Sequence, residues 1–352
     1  MDFVSKKIDF VKAERPYLIG EIGVNHNKNY ETLFKLIDVA INAKVDIVKL
    51  QRFNSSLEIS KFSKTANYQK KNTGHKTQLE LAKSLELPDE WIFKAYDYCK
   101  KKNIGFLCAG FDSESVDFIS RKLRCKTIKS PSSEINNKFL ISEMSKKFKS
   151  LIISSGASTM DECLKAKKWV LDNNKKCEML FMHCVSEYPS PEVDSNLNAI
   201  INMRKKLNLP IGLSDHTDGI FVPILSLNNQ CLLIEKHFTL SKKMKGPDHK
   251  ASIEPKELKE LSFIIRNYKN IMGTGIKKPT KSEIKNRNLI RKSAVCSKRI
   301  LKKGVKIKFE DMNFKRPYIL GAATPENFKK IIGKKLIKDL KFDKPFLIRN
   351  IK

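Results

Sequence analysis

"YLIGEIGVNHN" (residues 17–27) runs from the apolar segment Tyr17-Leu18-Ile19-Gly20 straight into a carboxylate, two amides and an imidazole. The apolar half reads as a strand buried on both faces. The polar half reads either as a loop that caps a helix or as one wall of a site, and the rest of the chain decides between them.

The same passage from apolar to polar recurs along the chain. Further strands are expected in DIVKLQ (46–51), IGFLCAGFD (104–112), KTIKSPSSE (126–134), SLIISSGAS (150–158), CEMLFMHCVSEYPSP (177–191), PIGLSDHT (210–217) and CLLIEKHFT (231–239). Helical spacing of apolar residues follows each. After the first strand, Leu33, Leu36, Ile37, Ala40 and Ile41 fall on one face. Only after the second strand does a long polar loop intervene before the helix at 89–103. Eight apolar strands joined by helices imply parallel pairing with both faces covered. The fold class is α/β, a (β/α)8 TIM barrel, followed by a small β-rich module. An open doubly wound sheet fits less well, because no GxGxxG follows the first strand. The strand ends EIGVNHN, KLQ, CAGFD, KSPSSE, SSGAS, HCVSEY, LSDHT and EKHFT all carry polar groups toward the C-terminal mouth, where barrel enzymes place their chemistry. Singly, residues such as Ser155, Ser158 and Thr217 read as helix caps; eight convergent ends read as a site.

Composition sets the outer limits. The chain has 352 residues, 41% of them hydrophobic, enough for a packed core. No run of 18 apolar residues is present, so no membrane partner is expected. The segment MDFVSKKIDFVKAERP lacks the apolar core of a signal peptide. Eight cysteines without a CxxC pair point to reduced thiols and a cytoplasmic location. The net charge is +31, but the lysines are spread through amphipathic segments, so a solvated surface is expected and no nucleic acid. Domains are placed at 1–276 for the barrel, 277–292 for a polar linker and 293–352 for the small module, which is marginal on its own.

The mouth carries its own chemistry. His216 and His237 end the seventh and eighth strands, close enough to share one divalent ion with open positions; two histidines satisfied by backbone groups are the bland alternative. Glu21, beside strand eight once the barrel closes, ligates the ion or accepts a hydrogen bond from a substrate hydroxyl. Lys49 and Lys129 are costly at a barrel mouth unless paired. With Ser132, Ser154 and Ser214 they suggest a pocket for a phosphate and a carboxylate. A Schiff-base lysine is the competing reading.

The motifs EIGVNHN, KLQ, YQKKNTG (68–74), KSPSSE, SSGAS, GLSDHT, EKHFTL and GPDHKAS resemble the sialic acid (N-acetylneuraminate) synthase family, and the C-terminal module with KRP resembles that family's antifreeze-like (SAF) domain. The resemblance implies an enzyme, a transferase that condenses phosphoenolpyruvate with N-acetylmannosamine and water to give N-acetylneuraminate and phosphate, with C–O cleavage. A legionaminic or other nonulosonic acid synthase using a 2,4-diacetamido-trideoxy hexose is the alternative, and a non-catalytic sugar- or anion-binding barrel a distant one. It further implies a divalent metal, Mn2+ ahead of Mg2+ or Co2+, on His216 and His237, and a homodimer with swapped SAF domains. By the same resemblance, Lys49, Lys129, Ser132, Ser154, Ser186 and Ser214 hold phosphoenolpyruvate. Glu21, Gln51, Tyr188, Asp248 and, from the partner chain, Arg316 hold the sugar. Glu21, Lys129 and Glu134 are the catalytic groups, with Glu134 handling protons. Departures from the pattern are Ala109 in place of a hydroxyl residue, Ser186 in place of an Asn, Lys28 in place of the Gly of HNG, and Tyr318 in place of the Gly after KRP. For Ala109, either backbone amides freed by Gly110 compensate or that contact is absent.

Overall fold

The computed structural model describes residues 15–65, 69, 73 and 77–352, with the backbone of a short antiparallel pairing between Asp2–Phe3 and Lys6–Lys7. The motif YQKKNTG, apart from Gln69 and Thr73, and most of the N-terminal segment read against a signal peptide lie outside the described residues. The chain divides into two compact units, Met1–Gly273 and Thr274–Lys352.

The first unit is a closed parallel barrel in chain order, with the last strand paired back onto the first. Its strands are β1 (Tyr17–Gly23), β2 (Ile47–Arg52), β3 (Gly105–Gly110), β4 (Thr127–Ser130), β5 (Ser150–Ser154), β6 (Glu178–Cys184), β7 (Ile211–Asp215) and β8 (Leu233–His237). The main helix after each strand is α1 (Tyr30–Asn42), α2 (Asp89–Lys101), α3 (Ser113–Asp117), α4 (Lys138–Lys147), α5 (Met160–Asn173), α6 (Asn198–Leu207), α7 (Phe221–Ser226) and α8 (Pro255–Met272). The TIM barrel expected from the strand count is therefore the fold.

Period-two alternation explains how these strands aim their polar ends. Ile19, Ile47, Leu107, Ile152, Leu180 and Leu233 pack together inside the barrel. Their neighbours Leu18, Val48, Phe106, Leu151, Phe181 and Ile234 pack outward with the helices. Two residues beyond the inner layer come Glu21, Lys49, Ala109, Ser154 and Glu235, with Lys129 and Ser214 from the strands between, and all of these line one cavity. Off-phase polar residues are handled separately: Lys236 is fully buried and bonds Asp215 and the Thr217 carbonyl. Apolar side chains thus fill the barrel below, and polar ones crown it.

The stretch between β2 and α2, read as a polar loop, includes the helices Ser55–Glu58 and Gln78–Leu85 among the described residues. The second is set by a capping box between Thr77 and Glu80 and buries Leu81, Ala82 and Leu85. Leu81 and Leu85 pack with Val24 and Phe53. Helix α5 starts at Thr159, whose side chain caps it. Ser155 instead bonds the Met182 carbonyl and Ser158 the Gly156 carbonyl, so neither caps that helix.

The second unit has its own core of Val295, Leu301, Ile307, Met312, Ala323, Ile331, Leu336 and Phe346. It contains one antiparallel pair, β9 (Ala294–Ser297) with β10 (Met312–Lys315), and isolated bridges such as Leu301 to Leu340. Residues 281–290, inside the stretch expected as linker, form helix α9 (Lys281–Ile290). The Asn288 carbonyl of α9 accepts a bond from the Tyr318 amide.

Candidate active site

Pairing register brings the key residues together. His237 is the Cα partner of Glu21, and Glu21 in turn of Lys49. Glu235 is opposite Ser214, and Ala109 opposite both Gln51 and Lys129. The result is a cavity of about 450 Å³ at the C-terminal mouth. Glu21, Lys49, Gln51, Lys129, Ser132, Ser154, Ser186, Tyr188, Ser214, His216, His237 and Asp248 all line it.

The floor is an ion cluster whose centre the sequence reading missed. Glu235 Oε1 lies 2.6 Å from Lys129 Nζ and 3.0 Å from Lys49 Nζ, and it accepts from Ser214 Oγ at 3.0 Å. Lys49 Nζ also reaches Glu21 Oε1 at 3.2 Å, and that oxygen accepts from Gln51 Nε2 at 2.7 Å. The lysines therefore already have internal counter-charges. The missed signal was an acid two residues before His237, on the same strand face. Burial works against the Glu235 carboxylate, but the two lysines outweigh it and hold its pKa well below the usual range. Burial lifts Glu21 to about 7, against the pull of Lys49. Burial also opposes the charge on Lys49, yet Glu21 and Glu235 carry its pKa upward. Lys129 is shifted down by burial, with Lys49 adding to the effect.

Among the described residues, Glu21 Oε2, Ser154 Oγ, Glu235 Oε2 and His237 Nδ1 of this floor are buried without a hydrogen-bond partner. Each such atom costs roughly 1–3 kcal/mol unless a ligand or water meets it. The histidines stand with ring centroids 5.4 Å apart, and the Tyr188 ring is 4.1 Å from His216. His216 Nδ1 bonds the Val185 carbonyl at 2.6 Å, which leaves its other nitrogen for a ligand. Burial holds His237 neutral, its pKa well below the ordinary value. This donor set fits a divalent ion held by two neutral-capable imidazoles. Among the described residues, no group of three or more His, Cys, Asp or Glu side chains is arranged to hold a metal.

Glycines keep the mouth open. Gly23 has φ +53°, and a Cβ there would sit 3.2 Å from His237 Nδ1 and 3.3 Å from Glu21 Oε1. A Cβ on Gly156 would fall 2.0 Å from Ser186 Oγ and 2.8 Å from Ser132 Oγ. Ser132 Oγ accepts from the Gly156 amide at 3.0 Å, so β4 and β5 ends lock together here.

One expected site residue is not in the lining of the barrel's cavity. Glu134 ends a 3-10 turn (Ser132–Glu134) and does not line the cavity; its Oε2 accepts from Asn137 Nδ2 at 2.8 Å. Arg316 is exposed in the second unit. A Cβ at Gly110 would meet Ile128, Ile119 and Val116. Lys28 takes up φ +50°, with its amide bonded to His26 Nδ1. The opening motif serves as wall and latch at once. Asn25 Nδ2 donates to the Phe238 carbonyl at 2.9 Å and to Ser252 Oγ at 2.8 Å, and Ser252 Oγ donates to the Asp248 carbonyl at 2.7 Å.

Comparison with known proteins places the chain in a family. Residues 36–277 match the model of the NeuB family. The chain is 39% identical to an N,N'-diacetyllegionaminic acid synthase of Campylobacter jejuni, covering 94% of this chain and 98% of that protein. It is 29% identical to an N-acetylneuraminate-9-phosphate synthase of Drosophila melanogaster, covering 99% of this chain and 98% of that one. Among solved structures, an N-acetylneuraminic acid (sialic acid) synthetase of Leptospira borgpetersenii, in complex with citrate, superposes with a TM-score of 0.68. It is 30% identical and covers 79% of this chain and 94% of its own.

Proposed function

The chain belongs to the NeuB family, and from that premise we propose that it condenses phosphoenolpyruvate with a 2,4-diacetamido-trideoxy hexose, giving a legionaminic-type nonulosonic acid and phosphate. The ranking from sequence motifs is reversed, since relatives named for diacetyllegionaminate are the more similar at 39%, against 29% for an N-acetylneuraminate-type synthase. The motifs that carried the first reading surround the reacting atoms and are blind to the sugar's far end.

One observation supports the reaction above the rest: two buried lysines crowned by unpaired polar atoms. Lys49 and Lys129 each have donors left over after Glu235, and an anion's oxygens complete them. In this reading Ser132, Ser154, Ser186 and Ser214 orient the phosphate and carboxylate, while Gln51, Tyr188 and Asp248 hold the sugar. A carbon–carbon bond forms from C3 of phosphoenolpyruvate to the sugar aldehyde, and the aldehyde oxygen takes up a proton. Glu21, with its pKa at about 7, is poised to share that proton near neutrality. Water adds at C2, and phosphate leaves with its bridging oxygen. Fixed donors stabilise the charge that shifts during these steps. A divalent ion, Mn2+ before Mg2+ or Co2+, would be held by His216 and His237 and, when bound, supplies Lewis acidity toward the aldehyde. A Schiff base at either lysine would first need the neutral amine, and so the loss of one of the two counter-charges that Glu235 shares, which disfavours that chemistry. A homodimer with exchanged C-terminal units, Arg316 serving the partner's site, is part of the same proposal.

Phosphate release tests this reading. Purified protein with phosphoenolpyruvate and Mn2+ should turn over the diacetamido sugar faster than N-acetylmannosamine, and chelation should abolish both rates. Faster use of N-acetylmannosamine would restore the first reading; no release with either sugar would overturn the synthase.

A further inference from the structure

The cavity has a second chemistry that the reacting groups do not use. Opposite the ionic floor, Val24, Phe53, Leu81 and Phe111 line the same space. Leu81 is supplied by the helix Gln78–Leu85, packed on Val24 and Phe53. Phe53 and Phe111 meet edge to face with centroids 5.8 Å apart, which makes this wall a stiff one. Two polar groups interrupt it. Gln78 lines the cavity, and its side-chain Oε1 is buried with no hydrogen-bond partner among the described residues. Glu58 also lines the cavity, and no side chain among the described residues bonds its carboxyl. Burial, with Glu134 and Asp112 nearby, raises that carboxyl to about 7. A buried amide oxygen without a donor among the described residues and a carboxyl that burial shifts toward its neutral form, both on apolar ground, do not suit a phosphate or a carboxylate. They suit a neutral amide carrying a methyl group. Its N–H meets the Gln78 oxygen, its carbonyl accepts from the protonated Glu58, and its methyl rests on Leu81 and the two rings.

We propose that Gln78 and Glu58, set among Val24, Phe53, Leu81 and Phe111, form a subsite that binds the acetamido group at the acceptor's far end and so selects diacetamido sugars over sugars with a hydroxyl there. This rests on the acceptor reading given above. The role is one of specificity: neither residue touches the reacting carbons.

The test compares two acceptors and three proteins by calorimetry, with Mn2+ and without phosphoenolpyruvate, so that affinity is read apart from turnover. Wild-type, Gln78→Leu and Glu58→Leu proteins are titrated with the diacetamido-trideoxy hexose and with N-acetylmannosamine. Gln78→Leu should weaken the diacetamido sugar by about tenfold, the scale of a lost buried hydrogen bond. N-acetylmannosamine should weaken by much less, so the ratio of the two affinities falls. Glu58→Leu, at the partly exposed end of the short helix Ser55–Glu58, removes the carboxyl donor and should lower the same ratio. A ratio within twofold of wild type in both variants overturns the subsite while leaving the synthase reading intact. A wild-type protein that prefers N-acetylmannosamine, or binds neither sugar, overturns the acceptor reading and the subsite together.

Discussion

His26 sits 1% exposed in the turn after β1, with its Nδ1 accepting from the Lys28 amide at 2.9 Å. Burial pushes its pKa down to about 3; a bond to the Gly23 carbonyl opposes this, and nearby His249 reinforces it. An unfolded histidine titrates near 6.5, so the folded value is depressed. His26 therefore contributes stability in full above about pH 6.5, and that contribution drains away as pH falls toward 3. Denaturant midpoints stepped from pH 7.5 to 4 should fall, with His26 accounting for roughly 3–5 kcal/mol of the slope at most. A His26→Gln variant should be less stable at pH 7 but show a flatter profile below 6.5. Equal slopes for the two proteins would remove this histidine from the acid transition. At this scale the sequence was informative about residue type and poor about partner. Glu21, Lys49, His216 and His237 were legible because each ends a strand. Glu235 was not, because its importance comes from Lys49 and Lys129, far along the chain. Glu134 was carried by a motif, and in the structure it closes a 3-10 turn with its Oε2 accepting from Asn137.

At the scale of elements, loops after the strands hold one another. The loop after β8 carries Asp248 and is tied to the loop after β1 through Asn25. His249 joins the same tie, with Thr239 at 2.7 Å on one ring nitrogen and Asn27 at 3.2 Å on the other. Replacing Asn25 by Ala would leave the Phe238 carbonyl and Ser252 Oγ without their donor in a buried place. The expected cost is about 2 kcal/mol in unfolding free energy. Hydrogen exchange should speed up in residues 241–253, and the acceptor's KM should rise more than kcat falls. Unchanged exchange in that loop would show that Asn25 does not secure it. Elements with strong period were legible from the sequence, and all eight barrel strands lie where the apolar runs placed them. The helix Gln78–Leu85 was passed over as polar loop. Its capping box and its Leu81, Ala82 and Leu85 spacing were present in the sequence, but eight residues is a short window for periodicity.

On the scale of the whole molecule, the barrel and the C-terminal unit each have a core of their own. Arg316 is exposed in the second, while Glu21 lies in the first. If the proposed exchange between chains holds, co-expressing Glu21→Ala and Arg316→Ala chains rebuilds one intact site in each mixed dimer. Roughly a quarter of wild-type activity should return with random pairing. Activity that stays at the level of the two parent proteins would rule the exchange out. The sequence by itself determined the barrel, because strand period, helix period and their strict alternation are local properties that admit few topologies. It also determined which residue types stand at the mouth, since a residue's place in its strand fixes the face it points to. The tertiary structure alone decided how those residues combine. The shared Glu235, the latch at Asn25 and the apolar wall with Gln78 and Glu58 all join segments distant along the chain, and closure of the barrel brings them within hydrogen-bonding or van der Waals reach.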